Sequence, residues 1–85
     1  MSDLEFMRVS LRNADLAKSL VTKCDFSGAN LEGACFKNCK LDRIDFQKAN
    51  LEGADFSGSV IRYCNFSNAD LRDVTFAMSP WKKQF

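Results

Sequence analysis

A large apolar side chain recurs at every fifth position from Phe6 to Trp81, and the rhythm never slips. The series runs Phe6, Leu11, Leu16, Val21, Phe26, Leu31, Phe36, Leu41, Phe46, Leu51, Phe56, Ile61, Phe66, Leu71, Phe76 and Trp81. A second set, mostly small, stands two residues before each, with Ala14, Ala29, Ala34, Ala49, Ala54 and Ala69 among cysteines and serines. A five-residue step rotates an α-helix by roughly 140°, so these residues would spiral around it and form no stripe. Five is odd, so in a straight strand alternate repeats would face opposite sides. Only a chain that bends once per repeat keeps them all on one side.

The turn chemistry agrees with a bend in every repeat. All four glycines (Gly28, Gly33, Gly53, Gly58) stand two positions after a large residue, where a tight turn demands positive φ. Asn13, Asn38, Asn68 and Asp73 share that slot, and they are the next most tolerant residue types. Asp or Asn also precedes the large residue at Asp15, Asp25, Asn30, Asp45, Asn50, Asp55, Asn65 and Asp70, where its side chain is expected to hydrogen-bond nearby backbone.

A slower period of twenty lies beneath the first. It sorts the large residues into the columns Phe6-Phe26-Phe46-Phe66, Leu11-Leu31-Leu51-Leu71, Leu16-Phe36-Phe56-Phe76 and Val21-Leu41-Ile61-Trp81. The small set sorts likewise, for example into Ala14-Ala34-Ala54-Val74 and Ser19-Cys39-Ser59-Ser79. Like residues every four repeats predict a square coil with one repeat per side and Phe-on-Phe ladders inside it. Coils would stack about 4.8 Å apart, and four of them would stand roughly 19 Å tall. The expected core comprises Phe26, Leu31, Phe36, Leu41, Phe46, Leu51, Phe56, Ile61, Phe66, Leu71 and Phe76.

These residues resemble the pentapeptide-repeat family, whose pattern is close to A-(D/N)-L-x-x. ANLEG occurs at 29–33 and 49–53, ADFSG at 54–58 and ADLRD at 69–73. The resemblance covers residues 4–83 and implies an all-β fold, a right-handed quadrilateral β-helix of four coils of about twenty residues. Residues 1–85 would form one domain. A solenoid builds its core from sequence-neighbouring coils, which suits so short a chain. The filled interior leaves no room for a cofactor pocket, and no cofactor is expected.

Four cysteines do not make a disulfide framework in this register. Cys24, Cys39 and Cys64 fall on inward small-residue positions, where cysteine acts as a compact hydrophobe, and Cys35 falls outward. Cys24 and Cys64 share a column two coils apart, beyond disulfide reach. The sequence has no histidine, so the commonest general base and metal ligand is missing. Close carboxylates in one column, Asp25 with Asp45 and Glu32 with Glu52, are the nearest approach to acid–base chemistry. They face water, and Arg12 and Arg72 flank the glutamates in their own column. The reading is non-enzymatic. The acidic start at Met1, Ser2 and Asp3 has no apolar signal core, and no stretch is long enough to span a membrane, which predicts a cytoplasmic protein.

Net charge is only +1, but the four sides differ. The fourth side (19–23, 39–43, 59–63, 79–83) carries Lys23, Lys40, Arg43, Arg62, Lys82 and Lys83 against Asp42 alone, a net of +5. The second side (9–13, 29–33, 49–53, 69–73) carries a net of −2. Where other sides place Asp or Asn before the large residue, the fourth has Leu20, Lys40, Val60 and Pro80. Leu20, Val60 and Tyr63 are therefore expected outward beside Lys23, Lys40, Arg43 and Arg62, as on a protein contact surface. The same mixture suits single-stranded nucleic acid or an anionic surface, with binding that weakens as salt rises.

The resemblance also implies a reading as a DNA gyrase- or topoisomerase IV-binding mimic of duplex DNA, of the fluoroquinolone-resistance kind. The sequence departs from that kind in its near-neutral charge, its four coils, its lack of a carboxyl-terminal dimerisation helix and its lack of a loop insertion. Mimicry needs a dense negative surface, which a net of −2 does not supply. At the ends, Pro80, Trp81 and Phe85 are expected to cap the last coil, and Lys82 and Lys83 to discourage stacking. An open first coil would favour a homodimer through that end. The primary expectation is a non-catalytic interaction module whose protein partner the sequence does not name.

Overall fold

A computed structural model of the chain describes residues 2–76. Among the described residues every fifth-position slot has positive φ, from Asp3 at 55° to Asp73 at 58°. Glycine, Asn and Asp fill only part of that slot. Arg8, Lys18, Lys23, Arg43, Lys48 and Tyr63 take the same conformation, each at the steric cost a Cβ brings to left-handed backbone.

The bends come in two kinds. On the first three sides the N–H three residues after a large residue donates back to that residue's carbonyl, as in Ala29 to Phe26 (3.0 Å) and Ala34 to Leu31 (3.0 Å). All eight Asp and Asn residues before a large residue accept the N–H two residues on, at 2.8 to 3.2 Å. With that N–H taken by a side chain, coil-to-coil pairing shrinks to single parallel bridges, such as Asn30 with Asn50.

The fourth side has neither feature among the described residues. Its backbone stays extended and forms the only strands described, β1 (Leu20–Thr22), β2 (Lys40–Asp42) and β3 (Val60–Arg62). They pair in parallel in the order β1-β2-β3, each residue opposite the one twenty positions on.

Phenylalanines fill the interior as two ladders. Phe6, Phe26, Phe46 and Phe66 stack with ring centroids 4.9, 5.5 and 5.0 Å apart. Phe36, Phe56 and Phe76 stack at 4.8 and 5.4 Å. The ladders meet edge to face, with Phe46 6.0 Å from Phe36 at 87° and 6.2 Å from Phe56 at 88°. Cys24, Ile44 and Cys64 line the corner after the fourth side, and all three are buried. Leu71, expected in the core, is instead 40% exposed, and Phe66 and Phe76 are only half-buried. Among the described residues Leu71 has a column neighbour, Leu51, on one side only. Val9, whose one column neighbour among the described residues is Ala29, is 40% exposed as well. The expected cap of Pro80, Trp81, Lys82, Lys83 and Phe85 lies outside the described residues.

Candidate interaction surface

Strand alternation puts Val21, Leu41 and Ile61 inward and their neighbours outward, which makes the fourth side a three-rung sheet face. One outward column is Leu20-Lys40-Val60, the other Thr22-Asp42-Arg62, and Lys23-Arg43-Tyr63 follow at the corner. Leu20 is 59% exposed and Tyr63 56%, as their positions predicted. Val60 points outward but is half-buried between its neighbours.

The charges on this face are unevenly satisfied. Asp42 Oδ2 accepts a hydrogen bond from an Arg43 guanidinium N–H at 2.6 Å, so the single acid of the side is spent on one cation. Asp42 Oδ1 is buried and accepts no hydrogen bond. The Arg43 and Arg62 guanidinium groups lie 5.1 and 5.7 Å from the Tyr63 ring centroid, within cation–π range. Lys23, Lys40 and Arg62 have no acid within ion-pair distance among the described residues.

The second side is closed by contrast. Arg12 pairs with Glu32 at 3.1 Å, and Arg72 reaches Glu52 at 3.4 Å and Asp70 at 2.7 Å. Hydrogen bonds from the Arg72 guanidinium and backbone hold the Asp70 carboxyl below its usual range. On the third side, hydrogen bonds from Ser57 do the same for Asp55, with Lys37 3.6 Å away. The carboxylate pairs considered for acid–base work are likewise occupied. Asp25 and Asp45 accept backbone N–H groups, and Glu32 and Glu52 are held by arginines.

The inward thiols are all free and serve the corners of the fourth side. Cys24 donates to the Thr22 carbonyl, Cys64 to those of Arg62 and Leu41, and Cys39 to that of Leu16 at 2.9 Å. Burial pushes the Cys39 thiol up, and it pushes Cys64 up to about 11, so both stay protonated at neutral pH. Buried and protonated, they are poor nucleophiles.

Sequence reasoning brought Leu20, Lys23, Lys40, Arg43, Val60, Arg62 and Tyr63 to one face, and the structure places them together there. It missed Thr22 as a member of the surface, and it counted Asp42 on the fourth side as the single acid without giving it a place in the contact. The signal was available, since both stand two residues after an outward strand position. A shallow depression on the first side, lined by Arg8, Ser27, Gly28, Asp45, Gln47 and Lys48, was also not foreseen.

The fold and surface together define a parallel β-solenoid with a filled interior and one open, cationic side. The family description "Pentapeptide repeats (8 copies)" matches residues 5–43 and 39–76, and the chain belongs to the pentapeptide-repeat family. Its architecture is the right-handed quadrilateral β-helix. The chain superposes on Rfr23, a pentapeptide repeat protein from the cyanobacterium Cyanothece 51142, with a TM-score of 0.91 at 19% identity over 98% of this chain and 56% of that one. A pentapeptide repeat protein of the Arabidopsis thaliana thylakoid lumen gives 0.64 at 28% identity, over 89% of this chain and 49% of that one. HetL of Nostoc sp. PCC 7120, involved in heterocyst differentiation regulation, gives 0.66 at 20% identity, over 93% and 45%. The chain thus spans about half the length of these proteins, and at 19 and 20% identity the likeness to Rfr23 and HetL is one of fold. No curated protein matches the sequence. No helix among the described residues is long and apolar enough to cross a membrane.

Proposed function

We propose that this protein is a non-catalytic interaction module that contacts a protein partner through its fourth side. One observation carries the reading: Lys23, Lys40 and Arg62 lack acid partners among the described residues and share one side with exposed Leu20 and Tyr63. A solvated face would show scattered charge, whereas cations grouped around aliphatic and aromatic side chains are the composition of a contact surface. Protein is favoured over nucleic acid because Tyr63, the single exposed aromatic described, is already engaged by two guanidinium groups. Duplex mimicry towards a topoisomerase is disfavoured because Glu32, Glu52 and Asp70 are neutralised within their own side. Free, buried thiols suit a reducing compartment, and fractionation of cells should recover the protein with cytoplasmic markers.

The test is affinity capture from host lysate, with and without nuclease, by the native chain and a Lys23→Glu, Lys40→Glu, Arg62→Glu variant. Arg43 is left in place because it holds Asp42. A protein retained by the native chain alone, in both nuclease conditions, is the expected result. The same captured set for both chains would sink the reading. Capture that vanishes with nuclease would move the assignment to nucleic acid.

A further inference from the structure

The two outward columns of the fourth side enclose a groove that runs across the three strands. Leu20, Lys40 and Val60 form one wall, Thr22, Asp42 and Arg62 the other, and Leu41 lies at its floor. We propose that this groove binds an extended acidic peptide segment carrying an aliphatic side chain. The proposal rests on the reading of the fourth side as a protein contact surface and names the chemistry of the partner.

Three properties of the groove select that occupant. The first wall alternates aliphatic, cationic and aliphatic groups, so an aliphatic side chain and a carboxylate can be taken side by side. The charge within the groove is open to an anion, because Lys40 and Arg62 have no acid partner among the described residues. Asp42, the one acid on the walls, is already held by Arg43 at 2.6 Å and so repels an incoming carboxylate less. Finally, the groove crosses three rungs, about 10 Å, which is the span of three extended residues. Side chains two apart on an extended segment share one face, so an aliphatic side chain set against Leu20 leaves a carboxylate two residues on to reach the Lys40 ammonium and the Arg62 guanidinium. The charged groups give attraction and salt dependence, and Leu20 and Val60 give selection. A cationic or wholly polar segment satisfies neither.

The probe is a fluorescein-labelled Glu-Ser-Leu-Ser-Glu peptide, whose glutamates and leucine share one face when extended, titrated against the full chain and read by fluorescence anisotropy. Controls are the same peptide with serine for glutamate and with serine for leucine. We expect each control, and each of the variants Lys40→Glu and Leu20→Ser, to bind about tenfold more weakly. Lys40→Gln serves as a milder variant, and circular dichroism checks that each chain is folded. Three results would each overturn the groove: no binding of the parent peptide, binding by Lys40→Gln and Lys40→Glu as tight as by the native chain, or binding of the leucine-free peptide as tight as that of the parent. If the peptide fails while the triple variant still loses its captured protein, the groove is wrong and the contact surface stands. If the captured set is unchanged in the triple variant, the surface reading itself has failed.

Discussion

On the second side, Asn30, Asn50 and Asp70 each accept the N–H two residues on, and Asn13, Gly33, Gly53 and Asp73 fill the positive-φ slot. Its arginines are paired. On the fourth side Leu20, Lys40 and Val60 offer no such acceptor, and Lys23, Arg43 and Tyr63 hold the left-handed slot. Asp42 keeps a buried oxygen without a donor. One backbone step is thus executed twice, once with the residues that suit it and once with residues that do not. Left-handed backbone at a bulky residue and an unsatisfied buried oxygen each cost on the order of 1–3 kcal/mol. Departures of this kind concentrate where a surface serves something other than stability. The core beneath serves both sides equally.

The largest expected effect breaks both sides at once. Phe46 stacks on Phe26 and Phe66 and meets Phe36 and Phe56 edge-on. Phe46→Ala should lower the unfolding free energy by about 3–5 kcal/mol, read from urea denaturation. Signals from the second and fourth sides should be lost together; separate transitions would show that the sides do not share one core.

An alkaline test separates the fourth side's corner from the rest. The Cys64 thiol is pushed up to about 11 by burial, from an ordinary value of 9.0. The unfolded chain therefore loses this proton first as pH rises. Stability from keeping the thiol neutral is complete below pH 9.0 and is lost as pH climbs towards 11, by about 2–3 kcal/mol. Comparing urea midpoints across that window should show a smaller loss in Cys64→Ala than in the native chain. Equal losses would place the alkaline weakness elsewhere.

The smallest effects bear on the left-handed slot itself, and they should have opposite signs. Gly53 has φ +72°, and a Cβ built there would meet nothing closer than the Gly33 nitrogen at 4.0 Å. Gly53→Ala on the second side thus isolates the backbone term and should destabilise by about 1 kcal/mol. Tyr63→Gly on the fourth side, at φ 55°, should be neutral or stabilise by up to about 1 kcal/mol, while weakening partner binding. Thermal melts of the pair decide this. A strongly destabilised Tyr63→Gly would mean that the ring supports the fold and the contrast between the sides is wrong.

Much of the architecture was legible because each repeat is governed by its own few residues. The Asp and Asn acceptors act on an N–H only two positions away, and the positive-φ slot recurs with the same period. Inward and outward positions followed, including exposed Leu20 and Tyr63. Leu71 differs because a column pattern counts like residues and does not register how many neighbours cover each one; among the described residues Leu71 has Leu51 alone in its column. Thr22 is passed over, and Asp42 enters only the charge count, because neither type is unusual on a surface; their further part is as the wall opposite Leu20, Lys40 and Val60.

By itself the sequence determined the bend in every repeat, the square coil, the phenylalanine columns and the side on which cations gather. These follow from periodicity, which acts locally and repeats without error. Only the tertiary structure decided which cations find an acid, that strands form on the fourth side while single bridges join the other three, and that two side-chain columns enclose a groove. The strands, the groove and the Arg12–Glu32 and Arg72–Glu52 pairs depend on distances between residues about twenty apart in sequence and on the rotamers their neighbours allow. Stacking alone sets both.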